Sequence, residues 1–416
     1  MKKNKIKKIS AREILNSRGN PTIEVFLETE DGFFISSVPS GASTGKYEAV
    51  ELIDNEKRYD GKGVLKAIKN INEIIFPKLK GENASSQNKI DEIMIELDGT
   101  ENKKRLGANA ILAVSLAVCR AGAFSKKLPL YLYIKELVNN EEKIKFPFPC
   151  FNIINGGAHA ENNLDIQEYM IIPMNDSFSK NLEIGVKLYN LLKENLKKKF
   201  KKIPIGIGDE GGFSLIFLNN EEPLKILNEV ISIFKKEKIK IGIDCAASQF
   251  YNSSKNKYLF ENSFLSPENL LSFYSKFFKK YPIISIEDPF QESDFSSFKN
   301  LKEENKNILI IGDDLTATNK NRLEIAIKEN SISGVIVKPN QIGTLTETLN
   351  FIKLAKKSGL KIIISHRSGE TNDDFISDLS IGTSADFIKA GAPARGERVA
   401  KYNRLLKIEK ELKNNI

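Results

Sequence analysis

Four short apolar runs in the second half of the chain each end in a residue able to do chemistry. They read Ile239-Lys-Ile-Gly-Ile-Asp244, Ile283-Ile-Ser-Ile-Glu287, Ile308-Leu-Ile-Ile-Gly-Asp313 and Val335-Ile-Val-Lys338. Runs of this kind, rich in β-branched residues and without polar alternation, mark parallel strands covered on both faces. The polar residue comes at the carboxyl end each time, where parallel α/β barrels keep their reactive groups. Converging carboxylates make an oxygen-rich site for a hard divalent cation, and Mg²⁺ suits such ligands best. A lysine beside bound metal has its ammonium form disfavoured by the cation and can serve as a base. Metal and lysine at one barrel mouth point to removal of a proton next to a carboxylate or carbonyl.

Other side chains gather around the same topological positions. The chain has two histidines. His159 lies in Asn155-Gly-Gly-Ala-His159-Ala-Glu-Asn-Asn163, and His366 lies in Ser365-His-Arg-Ser-Gly369, just beyond an apolar run. A lone histidine is usually structural, but both of these sit in glycine-flanked loops, which favours function. Arg367 and Ser368 offer a guanidinium fork beside a hydroxyl, a pairing that suits phosphate. Lys389, after Asp386-Phe-Ile388, adds a cation at a neighbouring strand end. Glu210 stands in Gly208-Asp-Glu-Gly-Gly212, where glycines allow close approach of backbone to a ligand. Gln167 and Glu168 lie within Ile166-Gln-Glu-Tyr-Met170. A carboxyl held near other acids can stay protonated and act as a general acid. Ser40-Gly-Ala-Ser43-Thr-Gly45 is a small-residue loop and by itself a weak signal.

These groups need a barrel to position them, and 416 residues exceed the ~250 of a barrel alone. The expected division is an N-terminal α+β domain over 1–138 and a C-terminal β/α barrel over 146–416. Thr22-Ile-Glu-Val-Phe-Leu-Glu-Thr29, a turn at 30–32 and Phe33-Phe-Ile-Ser-Ser-Val38 read as an antiparallel hairpin. The uncharged run from Gly107 to Ala117 reads as a fully buried helix. Asn139-Asn-Glu-Glu-Lys-Ile-Lys145, followed by Pro147 and Pro149, reads as the linker. From Cys150 on, apolar strands alternate with amphipathic helices, as in a mostly parallel barrel. Thr344-Leu-Thr-Glu347 is a capping box, and Ser266-Pro267 opens another helix.

A hydrophobic content of 41% and a charged content of 28% are those of a soluble globular protein. No run approaches the roughly 18 uninterrupted apolar residues of a membrane span. The basic start of the chain lacks the apolar stretch of a signal peptide. Three scattered cysteines without metal spacing read as reduced thiols, so a cytoplasmic location is expected. The net charge of +9 raises the question of nucleic acid. Its lysines are spread along the whole chain, however, and no zinc-finger, RRM or KH signature appears. Abundant Lys, Ile and Asn with no Trp fit drift under an AT-rich genome, and solvated helix faces explain the charge.

Several segments together resemble the enolase family. They are Leu15-Asn-Ser-Arg-Gly-Asn-Pro-Thr22, Ser40-Gly-Ala-Ser-Thr-Gly45, Gly208-Asp-Glu-Gly-Gly212, Asp244-Cys-Ala-Ala-Ser248, Ser285-Ile-Glu-Asp288, Lys338-Pro-Asn-Gln-Ile-Gly343 and Ser365-His-Arg-Ser-Gly-Glu-Thr371. The likeness spans essentially the whole chain. It implies a small α+β domain followed by a barrel whose first strands are antiparallel, and the Mg²⁺-dependent reversible dehydration of 2-phosphoglycerate to phosphoenolpyruvate. By the same resemblance, Asp244, Glu287 and Asp313 would hold one Mg²⁺, with Ser43 joining a second when substrate binds. Lys338 would take the C2 proton, and Glu210, assisted by Glu168, would help the C3 hydroxyl leave. His159, Gln167, His366, Arg367, Ser368 and Lys389 would contact substrate or border it. A homodimer or an assembly of dimers is implied, with Arg18 near the subunit contact, and no specific nucleic acid or membrane partner. The chain departs from the family pattern at Phe213-Ser-Leu-Ile216, at Gln249 in place of glutamate and at Gly396 in place of serine. The rival expectations are another acid dehydratase or racemase of the superfamily, and a non-catalytic scaffold keeping the fold. Retention of Lys338, Glu210 and the Ser-His-Arg-Ser segment speaks against both.

Overall fold

The computed structural model describes residues 4–41, 45–201 and 203–414. Strand Ile6–Leu15 pairs antiparallel with Pro21–Thr29, which pairs antiparallel with Phe33–Ser37, so the expected hairpin forms. Alternation along these strands buries Ile9, Ile23, Val25 and Leu27 on one face. The helix Ala108–Ser125 lies across that face. By length and hydropathy it could cross a membrane, but 83% of it is buried inside the protein. Its alanines and absence of charge over the first three turns suit a helix enclosed on all sides. Helix Leu130–Leu137 closes this part, and the next strand begins at Phe148.

Eight strands then form a closed ring. In order around it they are Phe148–Asn155, Glu168–Pro173, Ile239–Asp244, Ile283–Glu287, Leu309–Gly312, Gly334–Val337, Lys361–Ser365 and Phe387–Lys389, the last pairing back to the first. Glu168–Pro173 runs antiparallel to both neighbours, and the remaining pairs are parallel. Helices from Phe178–Lys199 to Gly396–Asn414 alternate with the later strands. Their starts follow the sequence signals. Ser266 Oγ accepts from Asn269 N at 3.3 Å, and Thr344 Oγ1 accepts from Glu347 N at 3.1 Å. Glu347 departs from a reciprocal capping box. It accepts from the Thr344 hydroxyl and from Lys103.

Two apolar layers explain why the strands read as unbroken apolar runs. Ile241, Ile243, Val335, Val337, Ile362 and Ile364 belong to the large core under the helices. Cys150, Met170, Ile172, Ile311, Ile336, Ile363 and Phe387 form a separate cluster that plugs the barrel interior. The three cysteines are buried free thiols.

Candidate active site

A period of two along each strand carries the plug upward into a polar layer. Two residues beyond Cys150 comes Asn152, beyond Ile311 Asp313, beyond Ile336 Lys338, beyond Ile363 Ser365 and beyond Phe387 Lys389. Gly242 also faces the interior, since a Cβ there would meet Ile172 Cδ1 at 3.1 Å, and Asp244 follows it. On the reversed strand the order inverts. Glu168 is its first residue and stands level with Asp244 and Asn155 on the rim where the other strands end. A carboxylate at an amino end thereby joins residues at carboxyl ends. A cavity partly open to solvent lies over this layer.

The acids and lysines of the rim are paired. Lys389 Nζ lies 2.8 Å from Asp244 Oδ2, 2.9 Å from both Glu287 carboxylate oxygens and 3.1 Å from Glu168 Oε2. Lys338 Nζ donates to Asp313 Oδ2, and Gln341 Nε2 donates to Asp313 Oδ1 at 3.0 Å. The three expected metal ligands therefore share one rim. Two of them embrace Lys389 and the third embraces Lys338, and among the described residues their oxygens do not all come within 4.8 Å of one another. Asp313 instead clusters with Asp288 and Asp314 within that distance. Lys389 lines the same cavity as Arg367 and Ser368. It neighbours Ser365 in register, and its ammonium is paired with the carboxylates.

Acid outnumbers base here. Glu48, Glu168, Glu210, Asp244, Glu287, Asp288 and Asp313 are all buried around the cavity, with Asp314 beside them, against Lys338, Arg367, Lys389 and Arg398. Burial and, after it, the charge of neighbouring acids push Glu287 and Asp288 well above the usual carboxylate range and Asp314 up to about 7. This surplus of hard, buried oxygen donors, with Asp288, Asp313 and Asp314 in one cluster, fits a divalent cation of the Mg²⁺ type. Burial works to lower Lys338, but Asp313 overrides it and holds the ammonium above its ordinary value.

Across the cavity stand Glu168, Glu210 and His159, one ligand atom of each lying within 4.8 Å of the others. Burial and then the charge of Glu210 push Glu168 well above the carboxylate range. Burial works to raise Glu210 too, but His366, His159 and Arg398 bring it well below that range. The two carboxyls are thus driven in opposite directions, Glu168 up and Glu210 down. Asn152 Nδ2 donates to Glu210 Oε2 at 2.9 Å, and His366 Nε2 lies 3.4 Å from the same oxygen. Arg398 Nη1 stands 2.6 Å from His366 Nδ1, so that nitrogen accepts and the ring is neutral. Burial agrees, pushing His366 down to about 4.

The glycines around Glu210 have a packing role. A Cβ on Gly208 or Gly212 would come within 2.7 Å or 2.5 Å of the Asn155 side chain, so these glycines seat the loop on the first barrel strand. Arg367 and Ser368 line the cavity with Gln167, whose N–H donates to Asp244 O at 3.0 Å. Ser43, the expected residue of the small-residue loop, lies outside the described residues. Gln249 lines the cavity, and a Cβ on Gly396 would meet nothing within 4 Å, so a serine would fit there.

Sequence reading missed Glu48, Asp288, Asp314 and Arg398. Asp288 and Asp314 each follow a residue already singled out, and a doubled acid at a strand end was the available signal. Asp288 accepts from the N–H groups of Asp313 at 3.0 Å and Asp314 at 2.6 Å, which ties two adjacent strand ends together. Glu48 comes from the other domain, and Arg398 from a helix with no local motif, so neither had such a signal.

This rim, with acids and lysines on one side and the Glu168–Glu210 pair on the other, sits on a ring with one reversed strand behind a small antiparallel domain. The family model described as "Enolase, N-terminal domain" matches residues 6–134, and the one described as "Enolase, C-terminal TIM barrel domain" matches residues 143–416. With both of its halves matched in order, the chain belongs to the enolase family.

Proposed function

We propose that the protein is a cytoplasmic hydro-lyase that interconverts 2-phosphoglycerate and phosphoenolpyruvate with Mg²⁺. The observation that carries this reading is the placement of Lys338 and the Glu168–Glu210 pair around one cavity whose rim also presents Arg367 and Ser368. A substrate whose phosphate meets Arg367 and Ser368 presents C2 to Lys338 and its C3 hydroxyl to the carboxyl pair. Lys338 removes the C2 proton, and Glu210, sharing a proton with Glu168, helps the hydroxyl leave as water. A divalent cation bound by Asp244, Glu287 and Asp313 would compete with the two lysines for these carboxylates and offset the charge that grows on the substrate carboxylate. Neutral His366, locked by Arg398, can donate from Nε2 toward Glu210 without adding charge. Purified protein should turn over 2-phosphoglycerate with Mg²⁺ and lose essentially all turnover with excess EDTA. Undiminished turnover in EDTA, or none with Mg²⁺, would remove this reading.

A homodimer, or an assembly of dimers, is part of the same proposal. Arg18 Nε pairs with Asp209 Oδ2 at 2.9 Å within the chain, beside a groove lined by Ile203, Ile207 and Ile216. Ile207 and Ile216 are 56% and 54% exposed, and neighbouring Leu218 is 85% exposed, an apolar rim that a second copy would cover. Light scattering should give twice the 46.7 kDa chain mass, or an even multiple of it, at micromolar concentration. A monomer mass there would argue against the assembly.

A further inference from the structure

Arg367, which meets the phosphate in the proposed reaction, is paired with a residue delivered by the other domain. Glu48 Oε2 accepts from Arg367 Nη1 at 2.7 Å and Oε1 faces Nη2 at 3.4 Å, with both side chains about as buried as the barrel core, at 4% and 5% exposure. Asn340 Oδ1 accepts from the same Nη1 at 3.3 Å. The segment carrying Glu48 is itself held by one internal contact and fastened to the barrel at three points. Gly45 N donates back to Glu48 Oε1 at 2.9 Å, and Ala49 N donates to Gln341 O at 2.8 Å. Asn340 Nδ2 donates to Glu51 Oε1 at 2.9 Å, and the Tyr47 ring lies 3.9 Å from the Arg322 guanidinium. A carboxylate held this firmly does not swing away when an anion arrives. It fixes the plane of the guanidinium, and a fixed plane is what a fork-shaped donor needs to meet a phosphate without losing rotamer freedom.

We propose that Glu48 is a positioning residue that holds Arg367 in the orientation that receives the substrate phosphate. The role rests on the proposed reaction, and its chemistry is that of any phosphomonoester bound at this rim. An ion pair serving only to join the domains would affect folding but leave anion affinity alone. Glu48→Gln keeps the size of the side chain and an acceptor for Gly45 N, but removes the charge that orients the guanidinium.

The test compares full-length wild type, Glu48→Gln and Glu48→Asp, in Mg²⁺. It measures KM and kcat for 2-phosphoglycerate and, by calorimetry, the dissociation constant for inorganic phosphate. For Glu48→Gln both KM and the phosphate constant should rise roughly 10- to 100-fold, the usual effect of losing an orienting partner, while kcat changes far less. Glu48→Asp, which keeps the charge but draws it back by one methylene, should fall between, and it carries the test if Glu48→Gln does not fold. Values of KM and phosphate affinity within twofold of wild type, or a loss confined to kcat, would overturn the role. Weakened phosphate binding in a protein whose wild type does not turn over 2-phosphoglycerate would support the role and remove the reaction. Turnover by wild type with phosphate binding unchanged in both variants would do the reverse.

Discussion

Lys338→Ala is expected to abolish exchange of the C2 proton of 2-phosphoglycerate with solvent and to reduce turnover by about 10²–10⁴-fold or more, the contribution of a positioned base. Its effect on metal should have the opposite sign from that of a lost ligand. In the structure the Lys338 ammonium donates to Asp313 Oδ2, so it competes with any cation for that carboxylate. Removing it should leave Mg²⁺ affinity unchanged or tighter. Glu210→Gln divides the reaction at the other step. The carboxamide keeps the shape next to Asn152 and His366 but cannot give a proton to the leaving hydroxyl as a carboxyl can, so hydroxyl loss should stop while C2 exchange continues. Isotope exchange followed by NMR alongside product formation reads both steps in one sample. If both variants lost exchange to the same degree, the assignment of base and acid to opposite sides of the cavity would be wrong.

The side of the site that carries Lys338 was legible in the sequence because it repeats. On a closed parallel barrel every strand ends at one rim, so a polar residue after an apolar run marks the same place each time it occurs. Asp244, Glu287, Asp313, Lys338 and Lys389 were found in this way. The pairing among them was not legible, because it depends on which side chain reaches which neighbour across the barrel mouth. Lys389 follows Phe387 by two and so points inward, but only the closed ring brings it to Asp244, Glu287 and Glu168. Glu168 was harder still. It reaches the rim from the amino end of a strand that runs against the rest, and nothing in Ile166-Gln-Glu-Tyr-Met170 announces that reversal. Contributions from outside the barrel are invisible to a strand-end rule altogether, and Glu48 is the example.

Arg398 shows what such a silent residue can carry. It is fully buried at 0% exposure on the last helix, Gly396–Asn414. Its Nη1 donates to Arg367 O at 2.6 Å and stands 2.6 Å from His366 Nδ1. Its Nη2 donates to Ser368 O at 2.6 Å and Asp209 O at 3.1 Å. One guanidinium thus ties the segment that carries His366, Arg367 and Ser368 to the loop that carries Glu210. Arg398→Met would fill much of the volume but leave the Arg367 and Asp209 carbonyls and a ring nitrogen without this donor, and Ser368 O with Ser17 Oγ alone. Each unsatisfied group costs about 1–3 kcal/mol, and breaking a buried charged contact costs about 3–5 kcal/mol in all. Urea unfolding should therefore show a loss of about that size. At temperatures where the variant stays folded, turnover should still fall, because His366 loses the donor that fixes its tautomer and Arg367 loses its anchored backbone. Arg398→Lys should not rescue either property, since a single ammonium cannot span both segments as the planar fork does. A variant that unfolds at the wild-type urea midpoint, or one that is destabilised but fully active when folded, would show that the link between the two segments does not depend on this residue.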